Sequence, residues 1–367
     1  MTRRLVLLSI FTSFFIVLGF VFVYSAGLSM EARLPYLSAT DFLLKQLIAF
    51  WLGIIAAIIV ILIKGNRHFR YAFYVYYPVI IGLLAVVLLS ASRGGSHRWI
   101  DFGFMSLQIS EFAKVFLILI LARYLAKIED KEKTIINVLL IPLLIVAPII
   151  GLTFLEPDLS TSGLMLIITF VMLFIGGLKF RHVFFLILII VLVIVLAFQQ
   201  GWIQEYQLER LTSFFSSESG EVHDQIDYSL MAISNGDFVG MGLGLGTVKY
   251  YIPVSYSDFI FATIGEELGF IGLVLLLLAY LGFLRILIII ALKLRKDTQG
   301  KLYILGFGFY VAIQASINIA VNLGLFPPTG LTLPFVSYGG SSLLSLMFGL
   351  GLVLSIIFDQ EKELYER

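Results

Sequence analysis

Polar residues interrupt this chain in four places, each with residue types suited to a different piece of chemistry. Arg98, Trp99, Ser110, Glu111 and Lys114 form the first cluster. Glu111 and Lys114 are three positions apart, so a helix puts them on one face where they can pair, and Ser110 stands where a helix cap would. An acid there suits a helix N-terminus, but a lysine in the same turn opposes the dipole, so an ordinary helix start explains only half of the pair. The second cluster is Glu156, Pro157, Asp158, Ser160 and Thr161. Its two carboxylates can hold a hard cation such as magnesium or manganese, or sugar hydroxyls, and Asp158 serves equally well as a helix cap.

The third cluster begins with alternating glycines, Gly240, Gly242, Gly244 and Gly246. Tyr250, Tyr251 and Pro253 follow, then Ser257-Asp258-Phe259-Ile260, and then Gly265, Glu266, Glu267 and Gly269. The spacing is not the Gly-x-Gly-x-x-Gly of dinucleotide sites, although glycines let a backbone approach a ligand and successive N–H groups can line an anion site. Asp258 lies where a polar loop meets an apolar helix beginning at Phe259. Desolvation at such a junction raises a carboxyl pKa and suits it to proton abstraction; an N-capping aspartate fits the position as well. The fourth cluster, Pro327 to Ser342, carries no charge but three prolines and three glycines among many hydroxyls, with Ser337, Gly340 and Ser341 at its end. It reads as a re-entrant or broken helix, which is tolerated at membrane depth where it is buried in protein or lines a wet cavity.

The elements that position these clusters must be membrane helices. Apolar residues make up 60% of the 367 and charged residues 13%, with a mean hydropathy of +1.01, far outside the soluble globular range. Apolar stretches run from Leu5 to Tyr24, Leu44 to Ile63, Tyr71 to Ser90, Phe112 to Leu125, Thr134 to Phe154, Leu159 to Gly176, Phe180 to Phe198, Phe270 to Leu292, Tyr303 to Leu323 and Leu343 to Phe358. The expectation is an all-α polytopic protein of about ten transmembrane helices forming one integral-membrane domain over residues 1–367. A large extracytoplasmic loop, Gln199 to Ser257, lies between the seventh and eighth spans.

With ten spans, the loops on the side of the termini hold seventeen Lys and Arg against six on the other side, which predicts that both termini are cytoplasmic. The net charge of +1 gives no basic field for nucleic acid. The absence of cysteine removes disulfides and thiolate chemistry, and His68, His97, His182 and His223 are too scattered for a zinc site.

In order along the chain, five segments resemble the SEDS family (shape, elongation, division and sporulation). They are Arg98-Trp99-Ile100 with Gln108 to Lys114, Glu156 to Thr161, Gly242 to Gly244, Ser257 to Ala262 with Glu266 to Gly269, and Leu333 to Ser342. Ile109 stands where the family usually has proline. Pro253-Val254-Ser255-Tyr256-Ser257 replaces a Pro-Glu-x-His-Thr pattern, so the roles of that Glu and His do not carry over, while the aspartate is kept. Thr329 to Pro334 is closer to the division and sporulation members than to the elongation members.

The resemblance implies a peptidoglycan glycosyltransferase of the bacterial cytoplasmic membrane that polymerises lipid II alongside a class B penicillin-binding protein. It makes Asp258 the expected general base, acting on the acceptor sugar 4-hydroxyl with inversion at the donor and loss of undecaprenyl diphosphate. Arg210, with Lys114 or a divalent cation, is expected to stabilise the leaving group, while Glu111, Lys114, Arg98, Glu156, Asp158, Ser337, Gly340 and Ser341 bind substrate or shape its cavity. A lipid II flippase and a non-catalytic scaffold for the division or elongation machinery are the alternatives. Polar groups gathered on the outer side favour the polymerase.

Overall fold

The computed structural model describes residues 2–34, 36–89, 98–101, 103, 106–128, 134–179, 182, 184, 199, 214, 221–294 and 297–365. Its helices are α1 (Thr2–Arg33), α2 (Ala39–Leu62), α3 (Gly65–Tyr71), α4 (Tyr77–Leu88), α5 (Ile109–Ile128), α6 (Ile141–Leu155) and α7 (Leu159–Ile175). After these come α8 (Glu221–Asn235), α9 (Ile260–Ala291), α10 (Thr298–Asn322) and α11 (Gly340–Tyr365). A two-stranded antiparallel hairpin, β1 (Trp99–Asp101) and β2 (Ser106–Gln108), leads into α5.

Among the described residues, seven helices are long and apolar enough to cross a membrane. α7 is apolar but shorter, and α5 carries Glu111, Lys114, Arg123 and Lys127. Apart from His182 and Phe184, the expected span from Phe180 to Phe198 lies outside the described residues, as does much of the loop following it. Two π-helical turns, Ala72–Tyr76 and Ile136–Leu140, run up to α4 and α6, each of which opens with a proline in its first two positions. Proline lacks the N–H and crowds the carbonyl four residues back, and a widened turn relieves that crowding.

By internal contacts the chain forms two compact units. The first comprises residues 1–56, 209–289 and 310–347. In its core Phe15 of α1 stacks on Tyr280 of α9 with centroids 4.3 Å apart and also packs near Phe283 and Phe335. A second cluster joins Ala232, Val248, Ile252, Phe259, Ala262 and Val321. The second unit comprises residues 57–208, 290–309 and 348–367. There α5 is buried along most of its length and packs on α4, α6 and α7. His68 is tied to Tyr76 (2.8 Å) and to the Val60 carbonyl (3.0 Å), a structural role.

α9 is interrupted: Gly269 (φ 65°, ψ −169°) breaks it, so a short half-helix, residues 260–268, precedes the membrane-length part, which starts at Phe270 as expected. One expectation needs correction: the Pro327 to Ser342 segment is not a broken helix, because residues 327–339 are turns, bends and irregular chain until α11 begins at Gly340. That segment is nonetheless deeply packed, with Leu333, Phe335 and Val336 buried. The Tyr280 hydroxyl donates to the Pro334 carbonyl at 2.6 Å. Non-helical backbone in an apolar setting needs such protein partners.

Candidate active site

Asp258 sits immediately before the half-helix of α9, half-buried in the first unit. The Ser257 hydroxyl donates to Asp258 Oδ1 at 2.8 Å. The main chain around it is tied to the fourth cluster: Ser337 Oγ donates to the Ser257 carbonyl (2.6 Å) and accepts from the Leu333 amide (2.8 Å). One residue on, the Tyr338 amide donates to the Tyr256 carbonyl (2.9 Å). Gln46 of α2 grips the same turn, donating to the Ser337 carbonyl (3.1 Å) and accepting from the Gly339 amide (3.2 Å). The rings of Phe42, Tyr256 and Tyr338 meet at 4.8–5.5 Å. Burial first, then the Asp258 carboxylate, push the Tyr256 phenol above its ordinary value, so at neutral pH it remains a protonated hydroxyl beside the acid.

Gly330 flanks the carboxylate on an exposed turn with φ +74°, and a Cβ there would lie 3.7 Å from Asp258 Oδ2. The third and fourth clusters, joined by the Ser337–Ser257 bond between residues 80 positions apart in sequence, thus converge on one acid. Ser337 contributes a backbone lock. Gly340 opens α11, and Ser341 and Ser342 are buried in its first turn, where Ser342 Oγ meets Thr332 Oγ1 at 3.0 Å.

The alternating glycines do not present an anion site. The loop's amides are taken by the protein's own groups: Gly240 and Gly242 N–H donate to the Gly236 and Glu267 carbonyls, Gly244 N–H to Glu267 Oε2 (2.9 Å), Thr247 and Val248 N–H to Glu266 Oε1 (both 2.7 Å), and Lys249 N–H to Glu266 Oε2 (3.0 Å). The loop also mends the break at Gly269. Met241 and Gly242 amides donate to the carbonyls of Glu266 and Glu267, while Phe270 and Ile271 amides donate to those of Asp237 and Phe238. These are the backbone groups that a helix break orphans. Lys249, which the sequence places among loop charges, is fully buried, 2.6 Å from Glu267 Oε1 and 2.7 Å from Ser25 Oγ. Ser25 in turn donates to Glu267.

Sequence reasoning also missed an amide stripe on α10. Gln314, Asn318 and Asn322, each four residues apart and buried, face the Asp258 and Leu331–Thr332 segments. The repeat of amides at i, i+4 and i+8 within an apolar span was the signal available.

The first and second clusters belong to the second unit. Glu111 and Lys114 pair at 2.8 Å, buried in the first turn of α5. Ser110 does not cap that helix: its hydroxyl is buried without a hydrogen-bond partner among the described residues, as is Glu111 Oε2. Arg98 donates through Nε to the Glu156 carbonyl (3.0 Å) and through its guanidinium to that of Pro157, clamping the turn between α6 and α7. Asp158 caps α7, accepting from the Thr161 amide (3.2 Å), and also accepts from Gln108 Nε2 (3.1 Å). Neither carboxylate oxygen of Glu156 has a hydrogen-bond partner among the described residues. Burial first, then Asp158, with Arg98 opposing, push that carboxyl up to about 9. Asp158 is thus engaged by two N–H donors, while both oxygens of the neighbouring Glu156 are left without a partner among the described residues. No group of three His, Cys, Asp or Glu suited to a metal occurs among the described residues. Arg210 lies outside them.

Helices of membrane length, and a half-buried acid on a main chain fixed by polar side chains, define a multi-pass integral membrane protein with a candidate catalytic carboxylate. A profile of the FTSW_RODA_SPOVE family, described as "Cell cycle protein", matches residues 5–362. The chain is 33% identical over 359 residues to the probable peptidoglycan glycosyltransferase FtsW of Coxiella burnetii, covering 94% of this chain and 93% of that one. It is 35% identical to the protein so named from Trichlorobacter lovleyi, covering 92% and 89%. Among solved structures it resembles a chain from "Structural coordination of polymerization and crosslinking by a peptidoglycan synthase complex", with TM-score 0.79, 30% identity and coverage of 96% and 97%. It also resembles the rod shape determining protein RodA of Thermus thermophilus, with TM-score 0.71, 28% identity and coverage of 96% of each chain. The chain belongs to the SEDS family, the FTSW_RODA_SPOVE cell cycle proteins.

Proposed function

We propose that this chain polymerises lipid II at the outer face of the cytoplasmic membrane, with Asp258 as general base. The chain is a peptidoglycan glycosyltransferase, as its relatives are named. The proposal concerns how its residues perform that reaction. In this reading Asp258 takes the proton from the acceptor sugar 4-hydroxyl as that oxygen attacks the donor anomeric carbon. The bond from that carbon to the diphosphate oxygen breaks, and configuration inverts. A positioned base contributes about 10² to 10⁴ in rate.

The observation that supports this role is the contrast within one stretch of chain. Glu266 and Glu267 are buried and bonded to the protein's own amides and Lys249. Asp258 is half-buried on a main chain fixed from several sides, beside an exposed glycine turn. Arg210 is assigned to the leaving diphosphate, since a charge placed where charge develops is usually the largest catalytic term. Lys114, held by Glu111, shapes its helix start, and the unpartnered oxygens of Glu156, Glu111 and Ser110 are offered to sugar hydroxyls or water. No step is assigned to a cation. A class B penicillin-binding protein is the proposed partner, in keeping with the peptidoglycan synthase complex of the similar structure. Both termini are placed in the cytoplasm.

Purified protein incubated with lipid II, with and without its transpeptidase partner, tests the reading through glycan-strand products. Wild type should give strands, and Asp258→Asn should give them at a rate lower by at least about 100-fold. Strands from a folded Asp258→Asn at the wild-type rate would remove Asp258 from the reaction, and lipid II transfer between leaflets without strand formation would favour the flippase.

A further inference from the structure

The half-helix that carries Asp258 has no polar side chain at its own start, because it opens Phe259-Ile260. The first-turn amide of Ala262 is instead taken by Asn322 Oδ1 of α10 at 3.0 Å. Asn322 Nδ2 donates to the Asp258 carbonyl at 2.9 Å. One turn earlier on the same face, Asn318 Nδ2 donates to that same carbonyl at 2.8 Å and to the Leu331 carbonyl at 2.7 Å. Asn318 and Asn322 are almost wholly buried, and Asn322 is itself held, since its carbonyl accepts from Ser229 Oγ of α8 at 2.8 Å.

Two donors on one carbonyl are more than hydrogen-bond satisfaction requires, and both come from neighbouring turns of a single rigid helix. Each additionally grips a second point: Asn318 the segment next to Gly330, and Asn322 the helix start. Together they fix three things relative to one another: the peptide of Asp258, the axis of the half-helix behind it, and the turn in front of its carboxylate. A buried amide in an apolar span is costly unless satisfied, and both are satisfied by the Asp258–Ala262 stretch, by Leu331 and by each other.

We propose that Asn318 and Asn322 are positioning residues for the general base, acting on the reaction only through the placement of the Asp258 carboxylate. This rests on the assignment of Asp258 as base and adds to it a definite source of its geometry. A misplacement on the order of 1 Å costs about 10² in rate, so truncating either amide should lower kcat by that factor and leave KM for lipid II nearly unchanged. Groups that act as a unit are not additive.

The experiment is a double-mutant cycle on the full-length protein in detergent, with lipid II as substrate and thermal midpoint and size-exclusion profile recorded for every variant. Asn318→Ala and Asn322→Ala are each measured alone and combined with Asp258→Asn. The expected result is a loss in kcat of about 100-fold in the single amide variants, and no further loss when either is added to Asp258→Asn. Full kcat in a folded Asn318→Ala or Asn322→Ala would overturn the proposal, as would losses that multiply in the double variants. If Asp258→Asn itself polymerises at the wild-type rate, it is the base assignment that fails. Should an alanine variant not fold, Asn318→Ser, which keeps a donor on a shorter arm, replaces it: intermediate kcat at unchanged KM supports positioning, and wild-type kcat contradicts it.

Discussion

The half-helix of α9 has acids at both ends, and the two ends are built on opposite principles. At its C-terminal end Glu266 and Glu267 are buried, and their oxygens are bonded to five backbone or side-chain N–H groups, the Lys249 ammonium and the Ser25 hydroxyl. At its N-terminal end Asp258 is half-buried, with two amide side chains on its main-chain carbonyl and the Ser257 hydroxyl on its carboxylate. A carboxylate enclosed by fixed donors is a structural strut. A half-buried carboxylate on a fixed backbone can be placed accurately and still meet a substrate.

The largest expected effect on that comparison comes from the buried pair. Glu267→Leu leaves Lys249 charged without its partner and should destabilise the fold by about 3–5 kcal/mol. It would be read as a large fall in thermal midpoint or loss of monodisperse protein. Lys249→Met added to Glu267→Leu should recover much of that stability, because an apolar pair replaces an ionic one. If Glu267→Leu keeps wild-type stability, the strut description fails.

A smaller effect is expected at Gly330. Its φ of +74° costs an L-residue about 1–2 kcal/mol, and the added methyl would lie 3.7 Å from Asp258 Oδ2. Gly330→Ala should therefore lower turnover more than it lowers the thermal midpoint. The reverse ordering would mean that the turn serves folding alone.

The last effect is a pH dependence in the second unit, read as a slope and not as a loss at one pH. Glu156 is raised from 4.5 to about 9, so the folded chain holds a proton that the unfolded chain releases. Its contribution to stability is full below pH 4.5 and falls as pH rises to about 9. Glu156→Gln should flatten the thermal midpoint across that window and raise it toward the alkaline end. An unchanged slope would show that Glu156 does not titrate there.

Much of this was legible in the sequence, for physical reasons. Helices long enough to cross a membrane follow from apolar length alone, and Asp258 stood out because an acid opens an apolar run. The three-residue spacing of Glu111 and Lys114 anticipated their 2.8 Å contact. What was hidden depends on contacts between distant segments. Gly269 looks like any helix glycine until Gly236 and Gly240 pack against the backbone beside it. Lys249 looks like a loop charge until Glu267 is found beside it, and the loop amides look available until Glu266 accepts from Thr247, Val248 and Lys249. The Pro327 to Ser342 segment has the composition of a broken helix, and only its bonds to Gln46, Tyr256, Ser257 and Tyr280 show that irregular chain is stable there.

The most direct test is to measure turnover of lipid II and the thermal midpoint on one preparation of Asp258→Asn. A loss in turnover of at least about 100-fold, with a midpoint close to wild type, is what an acid placed for chemistry predicts. Wild-type turnover, or a loss explained entirely by unfolding, would show that Asp258 is one more strut.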